Sequence, residues 1–250
     1  MNKIILFITF TLMSFSAAAV PMSFLTKEYY ANPQDKGTWI IKQDFDDKKK
    51  CNDKSECDDF PIFTYQVCHE KSISAQQSIV VMCGVNDDNG VSSAENNIVI
   101  WYLNGDKPEA SGYFDTTVES TGSRAIWVDT ALLGKNTWAA TYDADEETRI
   151  YLQTFRSYYI KFDDKVVKVA NLPILSRYND CTAREDEKAE CLKDDLKNKI
   201  RFIADDKNFF TMKITSEGKR NGKLVKKEYI VPFDSKRRVY PIPDELQISY

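Results

Sequence analysis

Between residues 37 and 175 the chain alternates short apolar, β-branched and aromatic runs with polar turns, a rhythm that predicts a β-rich structure. Strands are expected over 39–45, 62–68, 79–85, 98–103, 125–129, 137–142, 149–162 and 166–170. Asn104-Gly105 follows one of these runs with the residue pair that positive-φ hairpin turns require, and Asp163-Asp164-Lys165 separates two more. Further runs at 209–215, 224–231 and 238–242, with Asn221-Gly222 as the clearest turn, predict a C-terminal β-meander.

One segment departs from the two-residue period. Ala189, Leu192, Leu196, Ile200 and Ile203 recur at spacings of 3, 4, 4 and 3, which places them on one helical face beneath a charged opposite face. Thr182 and Glu185 match a capping box that would start this helix early. A bridge between Cys181 and Cys191 opposes that start. Roughly ten residues of helix separate Cα atoms by about 15 Å, and a disulfide needs about 4.4–6.8 Å. The bridge is therefore expected, with 181–187 as a loop and an amphipathic helix near 187–203. The fold class expected is mainly β, a β-rich α+β arrangement of antiparallel sheets with one helix and a C-terminal meander. Its divisions are a signal peptide at 1–19, a β-rich region at 20–175 and a helix plus meander at 176–250, the last two compatible with a single domain.

The N-terminus sets the compartment. Lys3 precedes an apolar stretch over 4–15, and Ala17-Ala18-Ala19 forms a small-residue cleavage site, the plan of a secretory signal. That stretch is shorter than the roughly 20 residues of a membrane span, and no cysteine stands at the cleavage point for lipid attachment. A periplasmic or secreted protein without a transmembrane segment in its mature chain is expected. Six cysteines after an export signal favour disulfides, the simplest pairing being Cys51 with Cys57, Cys68 with Cys83, and Cys181 with Cys191. With no C-x-x-C pair and a single histidine, no metal or other cofactor is expected.

Charge and motifs narrow the chemistry. The formal net charge of −4 argues against nucleic acid, whose partners carry clustered cations. His69 adjoins Cys68, but neighbours on a strand point to opposite faces, so they form no catalytic pair. Asp129, Asp143, Asp145, Glu146 and Glu147 supply carboxylates that nothing in the pattern singles out for glycoside hydrolysis. Residues 86–90 are oxygen-rich, yet they lack EF-hand spacing. Nucleophile-elbow and phosphate-cradle motifs are absent. Pro241 and Pro243 oppose reading the C-terminus as a barrel-closing strand. No catalytic residue is assigned, and an enzyme is the less favoured class.

Two features could carry recognition. Aromatic residues crowd 101–159, mostly as core. Lys219, Arg220, Lys223, Lys226, Lys227, Lys236, Arg237 and Arg238 outweigh Glu228 and Asp234, giving an acidic protein a basic C-terminal hairpin. That hairpin suits an acidic protein partner, or it protects a sheet edge from self-association. The function expected is that of an exported, disulfide-stabilised binding protein of the bacterial envelope, of inhibitor or immunity type. The alternatives are a carbohydrate-binding or carboxylate-dependent carbohydrate-cleaving protein, and a structural surface or adhesion domain.

Overall fold

The computed structural model describes residues 23, 25–31, 38–41, 63–86, 96–115, 127–147, 150–179 and 192–247. These form two up-and-down antiparallel meanders. The first comprises β1 (Tyr29–Ala31), β2 (Thr38–Ile41), β3 (Phe63–Ser72), β4 (Gln77–Asn86), β5 (Asn96–Asn104) and β6 (Lys107–Asp115), preceded by the single helical turn Leu25–Glu28. The second comprises β7 (Trp127–Gly134), β8 (Thr137–Glu147), β9 (Tyr151–Phe162), β10 (Lys165–Asn179), β11 (Leu192–Ile203), β12 (Thr211–Arg220) and β13 (Lys223–Val231). Each strand pairs with its sequence neighbour within its meander. A parallel bridge between Lys165 and Ser111 joins the two into one 13-stranded sheet among the described residues.

Local chemistry explains the tight connections. The β12–β13 hairpin turns through Asn221 at φ 49° and Gly222 at φ 73°, the doubly positive pattern whose twist matches the strands it joins. Gly105 at φ 61° and Asp163 at φ 55° serve the β5–β6 and β9–β10 turns.

Burial places the strands in layers. In β4, Ile79, Val81 and Cys83 join one cluster and Val80 and Met82 another, which is why its sequence is a continuous apolar run without alternation. The first cluster packs Ile98, Ile100 and Tyr102 of β5 against Ala140, Tyr142 and Tyr159 of β8 and β9. Ala139, Tyr158 and Ile160 point the other way, toward Leu172, Met212, Ile214, Val231, Tyr240 and Leu246. The β8–β9 pair is thus a middle layer between the first meander and the C-terminal strands.

The Cys68–Cys83 disulfide forms as expected, linking β3 to β4 with its Cα atoms 5.7 Å apart. The ladder shifts between Val67 and His69, so Cys68 is the extra residue of a bulge. Cys51, Cys57, Cys181, Cys191 and the capping pair Thr182 and Glu185 lie outside the described residues.

The helix expected near 187–203 is corrected: Leu192–Ile203 is strand β11, paired to β10 and β12. A spacing of four residues satisfies both periods, because it is also two strand repeats. Asp194, Leu196 and Asn198 are buried, whereas Lys193, Lys197, Lys199 and Arg201 are exposed, a strict alternation. Polar residues on the buried side concealed it. Ile203, needed on the helical stripe with Ile200, is instead 43 % exposed on the opposite face. The run at 238–242 is also corrected, since only Val239 bridges to Asp234. Pro241 and Pro243 remove ladder donors there, and Tyr240 and Ile242 plug the core instead. No helix among the described residues is long and apolar enough to cross a membrane.

One glycine is constrained by both conformation and space. Gly218 sits in β12 at φ 139°, and a Cβ there would lie 1.9 Å from the Asp195 carbonyl oxygen. Gly218→Ala is expected to lose at least about 1–3 kcal/mol through backbone strain. Urea unfolding of the two forms checks this, and equal midpoints would refute it.

Candidate interaction surface

The structure divides the eight predicted basic residues among separate places. Register puts Lys219 and Lys226 on the outer face of the β10–β13 sheet. Lys223 stands beside the Asn221-Gly222 turn. Arg220 and Lys227 lie on the inner side, where Lys227 Nζ donates to Glu245 at 2.6 and 2.7 Å and Arg220 donates to the Glu245 backbone carbonyl at 3.0 Å. Lys236, Arg237 and Arg238 belong to the bend between Asp234 and Val239, where the Asp234 carboxylate accepts the Lys236 and Arg237 backbone N–H groups. Arg238 lies 4.8 Å over the Phe162 ring, a favourable cation–π contact.

A larger basic surface emerges from strands that the helical reading had obscured. Lys197, Lys199 and Arg201 of β11 share the outer face with Arg177 of β10, Lys213 and Lys219 of β12 and Lys226 of β13. The acids on this face are Asp195, Glu217 and Glu228. Each is held by a cation of a neighbouring strand: Asp195 by Arg177 at 3.1 Å, Glu228 by Lys213 at 2.9 Å and Glu217 by Lys199. Hydrogen bonds from Lys199 and Lys213 hold the Glu217 and Glu228 carboxyls below their ordinary range, so both stay ionised to lower pH than free glutamates. Lys197, Arg201, Lys219 and Lys226 have no ion-pair partner among the described residues.

Arg201 stands directly opposite Lys213 in the β11–β12 ladder. Like charges at that spacing destabilise a strand pair, so this face carries positive potential at a cost to the fold. Leu224 and Ile230, 84 % and 60 % exposed, add apolar area on the same side of β13. The alternation of Lys193, Asp195, Lys197, Lys199 and Arg201 was the sequence signal for this surface.

Four of the candidate carboxylates are engaged in hydrogen bonds within the sheet, three of them across strands and that of Asp129 within its own strand. Asp143 accepts two hydrogen bonds from Arg156 at 2.6 Å each, and this charged hydrogen bond pushes the Arg156 guanidinium upward. Asp145 accepts from Thr154 at 2.6 Å, Glu146 from Tyr151 at 2.7 Å and Asp129 from the Thr130 N–H at 2.7 Å. His69 Nε2 is buried and has no hydrogen-bond partner. Among the described residues, no group of three or more His, Cys, Asp or Glu side chains could hold a metal ion. Trp101, Tyr102, Tyr142, Tyr158 and Tyr159 are core residues, whereas Tyr113 and Trp127 are exposed. Comparison of the chain with protein-family models, curated proteins and solved structures finds no match.

Proposed function

We propose that this chain is an exported binding protein of the inhibitor or immunity type, engaging an acidic protein surface through the outer face of β10–β13. The observation that carries this reading is the clustering of seven cations on one sheet face whose three acids are already paired within the molecule. Such a face accelerates encounter with a negative partner and loses that advantage as salt screens it, over about 8 Å at physiological ionic strength. Leu224 and Ile230 give the contact an apolar margin. The Cys68–Cys83 bridge suits the oxidising compartment to which the N-terminal signal directs the chain.

The test uses immobilised poly-L-glutamate as the acidic polypeptide, with the mature chain injected across a salt series. Wild type is expected to bind with an association rate that falls as salt rises. The triple variant Lys197→Gln, Arg201→Gln, Lys219→Gln, which sets no like charges opposite Glu217 or Asp195, should bind at least about tenfold more weakly with little change in thermal stability, because exposed charges contribute little to folding. Equal binding by the two forms, or a rate indifferent to salt, would overturn the proposal.

A further inference from the structure

Strand β13 ends the sheet, with β12 on one side and no strand on the other among the described residues. It pairs with β12 over nine residues without a register shift and contains no proline. It therefore lacks the bulge and the proline that commonly blunt an open edge. The Asn221-Gly222 turn fixes which backbone groups point outward. In a two-residue hairpin the flanking residues, here Arg220 and Lys223, form a hydrogen-bonded pair, and bonding alternates from there. Lys223, Val225, Lys227, Tyr229 and Val231 thus bond to β12, while the N–H and C=O groups of Leu224, Lys226, Glu228 and Ile230 face the open edge. The side chains of these four stand on the outer face, where Leu224 and Ile230 are 84 % and 60 % exposed.

The order Leu224, Lys226, Glu228, Ile230 complements its own reverse. When two β13 strands meet antiparallel about a two-fold axis at Lys227, Leu224 stands opposite the second copy's Ile230 and Lys226 opposite its Glu228, each pairing occurring twice. All are hydrogen-bonded positions, because the outward-facing residues meet one another. Sliding by two residues in either direction sets Lys226 opposite Lys226 or Glu228 opposite Glu228, and like charges directly opposite destabilise a strand pair. Charge therefore selects one register. Lys226 has no ion-pair partner among the described residues. Glu228 meets Lys213 through Oε1 at 2.9 Å, and an ionised carboxylate accepts several donors. The like pair on the axis is Lys227 with Lys227, and each is neutralised on the inner side by Glu245 of its own chain at 2.6 and 2.7 Å.

We propose that β13 is a self-association edge, through which a second copy of this chain extends the sheet in this register. The occupant is a second copy because the edge itself supplies both halves of every pair. A two-fold axis normal to the sheet leaves both outer faces on the same side, so the basic surface continues from one copy to the next. A single strand edge is a small interface, of the class that forms transient complexes, and a Kd of about 10–100 µM is expected.

Sedimentation equilibrium of the mature chain from about 5 to 500 µM tests this, the range that brackets such a Kd. The mass is expected to rise toward twice that of the monomer. Lys226→Pro removes an outward donor and leaves the bonds to β12 in place, so it should weaken association at least about tenfold. Leu224→Gln should weaken it at least about threefold by removing apolar contact. Circular dichroism of each variant confirms folding. Register is read by mild oxidation: Leu224→Cys mixed with Ile230→Cys should cross-link, whereas Leu224→Cys alone should not, its two cysteines lying about 20 Å apart along the strands. A monomer mass at 500 µM would overturn the proposal, as would unchanged association in folded Leu224→Gln and Lys226→Pro, or cross-linking of Leu224→Cys alone as readily as of the mixture. Self-association and acidic-protein binding are independent. The triple variant of the outer face should still dimerise, so failure of the edge and failure of the acidic-protein reading are separately visible.

Discussion

Tyr240→Ala is expected to be among the most damaging single substitutions in the described residues, costing about 3–5 kcal/mol, the range for deleting a large buried aromatic side chain. Tyr240 is 2 % exposed and lies against Phe233 and Phe202, with ring centroids 5.1 and 5.8 Å away. Its hydroxyl donates to the Phe210 carbonyl at 2.9 Å, and its backbone N–H donates to the Val169 carbonyl at 2.8 Å. One residue thus ties the C-terminal segment to β10 and to the residue just before β12. Burial raises the phenol's pKa, so the hydroxyl stays protonated and keeps its donor role. Tyr240→Phe separates the two contributions. It keeps the ring and leaves the Phe210 carbonyl without its donor, for an expected loss of about 1–3 kcal/mol. Urea unfolding measures both. A loss below about 1 kcal/mol for the alanine variant would show that the C-terminal segment does not hold this core together.

Removal of the Cys68–Cys83 bridge by Cys68→Ala together with Cys83→Ala should cost about 3 kcal/mol, the chain-entropy value for a closed loop of about 15 residues, the separation of these cysteines. Cys83 is also 5 % exposed within the cluster joining the two meanders, so its sulfur carries packing as well as the bridge. The unfolding midpoint in urea should fall. A midpoint equal to wild type would mean that the β3–β4 ladder alone constrains this hairpin. Such a bridge is maintained where thiols are oxidised, which agrees with the export proposed from Lys3 and Ala17–Ala19.

Local chemistry made much of the fold legible. A φ above zero is open at low cost only to a few residue types, so Asn221-Gly222 announced its hairpin without any tertiary contact. The apolar run over 79–83 announced a strand, and the structure accounts for its lack of alternation, because both sides of β4 are covered. Cys68 and Cys83 could be paired from spacing and compartment, since the bridge closes a short local loop.

Residues 192–203 required the rest of the molecule. Apolar spacing of four fits helix and strand alike, and the deciding contacts come from β10 and β12, which offer backbone partners along the segment. Asp194 and Asn198 are buried through partners that the sequence does not place nearby: the Asn221 N–H at 2.6 Å for Asp194, and the Pro173 carbonyl at 2.7 Å for Asn198. Because those partners arrive only on folding, two buried polar residues read as surface, and the strand alternation was masked. The basic surface followed the same logic. Its cations come from four strands, and pairing register decides that Lys219 and Lys226 join Lys197 and Arg201 while Arg220 and Lys227 turn inward to Glu245. Outside residues 192–203, strand character, the tight turns and one disulfide were legible from neighbours in the chain; the face each charge occupies was set by pairing between distant strands, because a one-residue shift in register moves a side chain to the other side of a sheet.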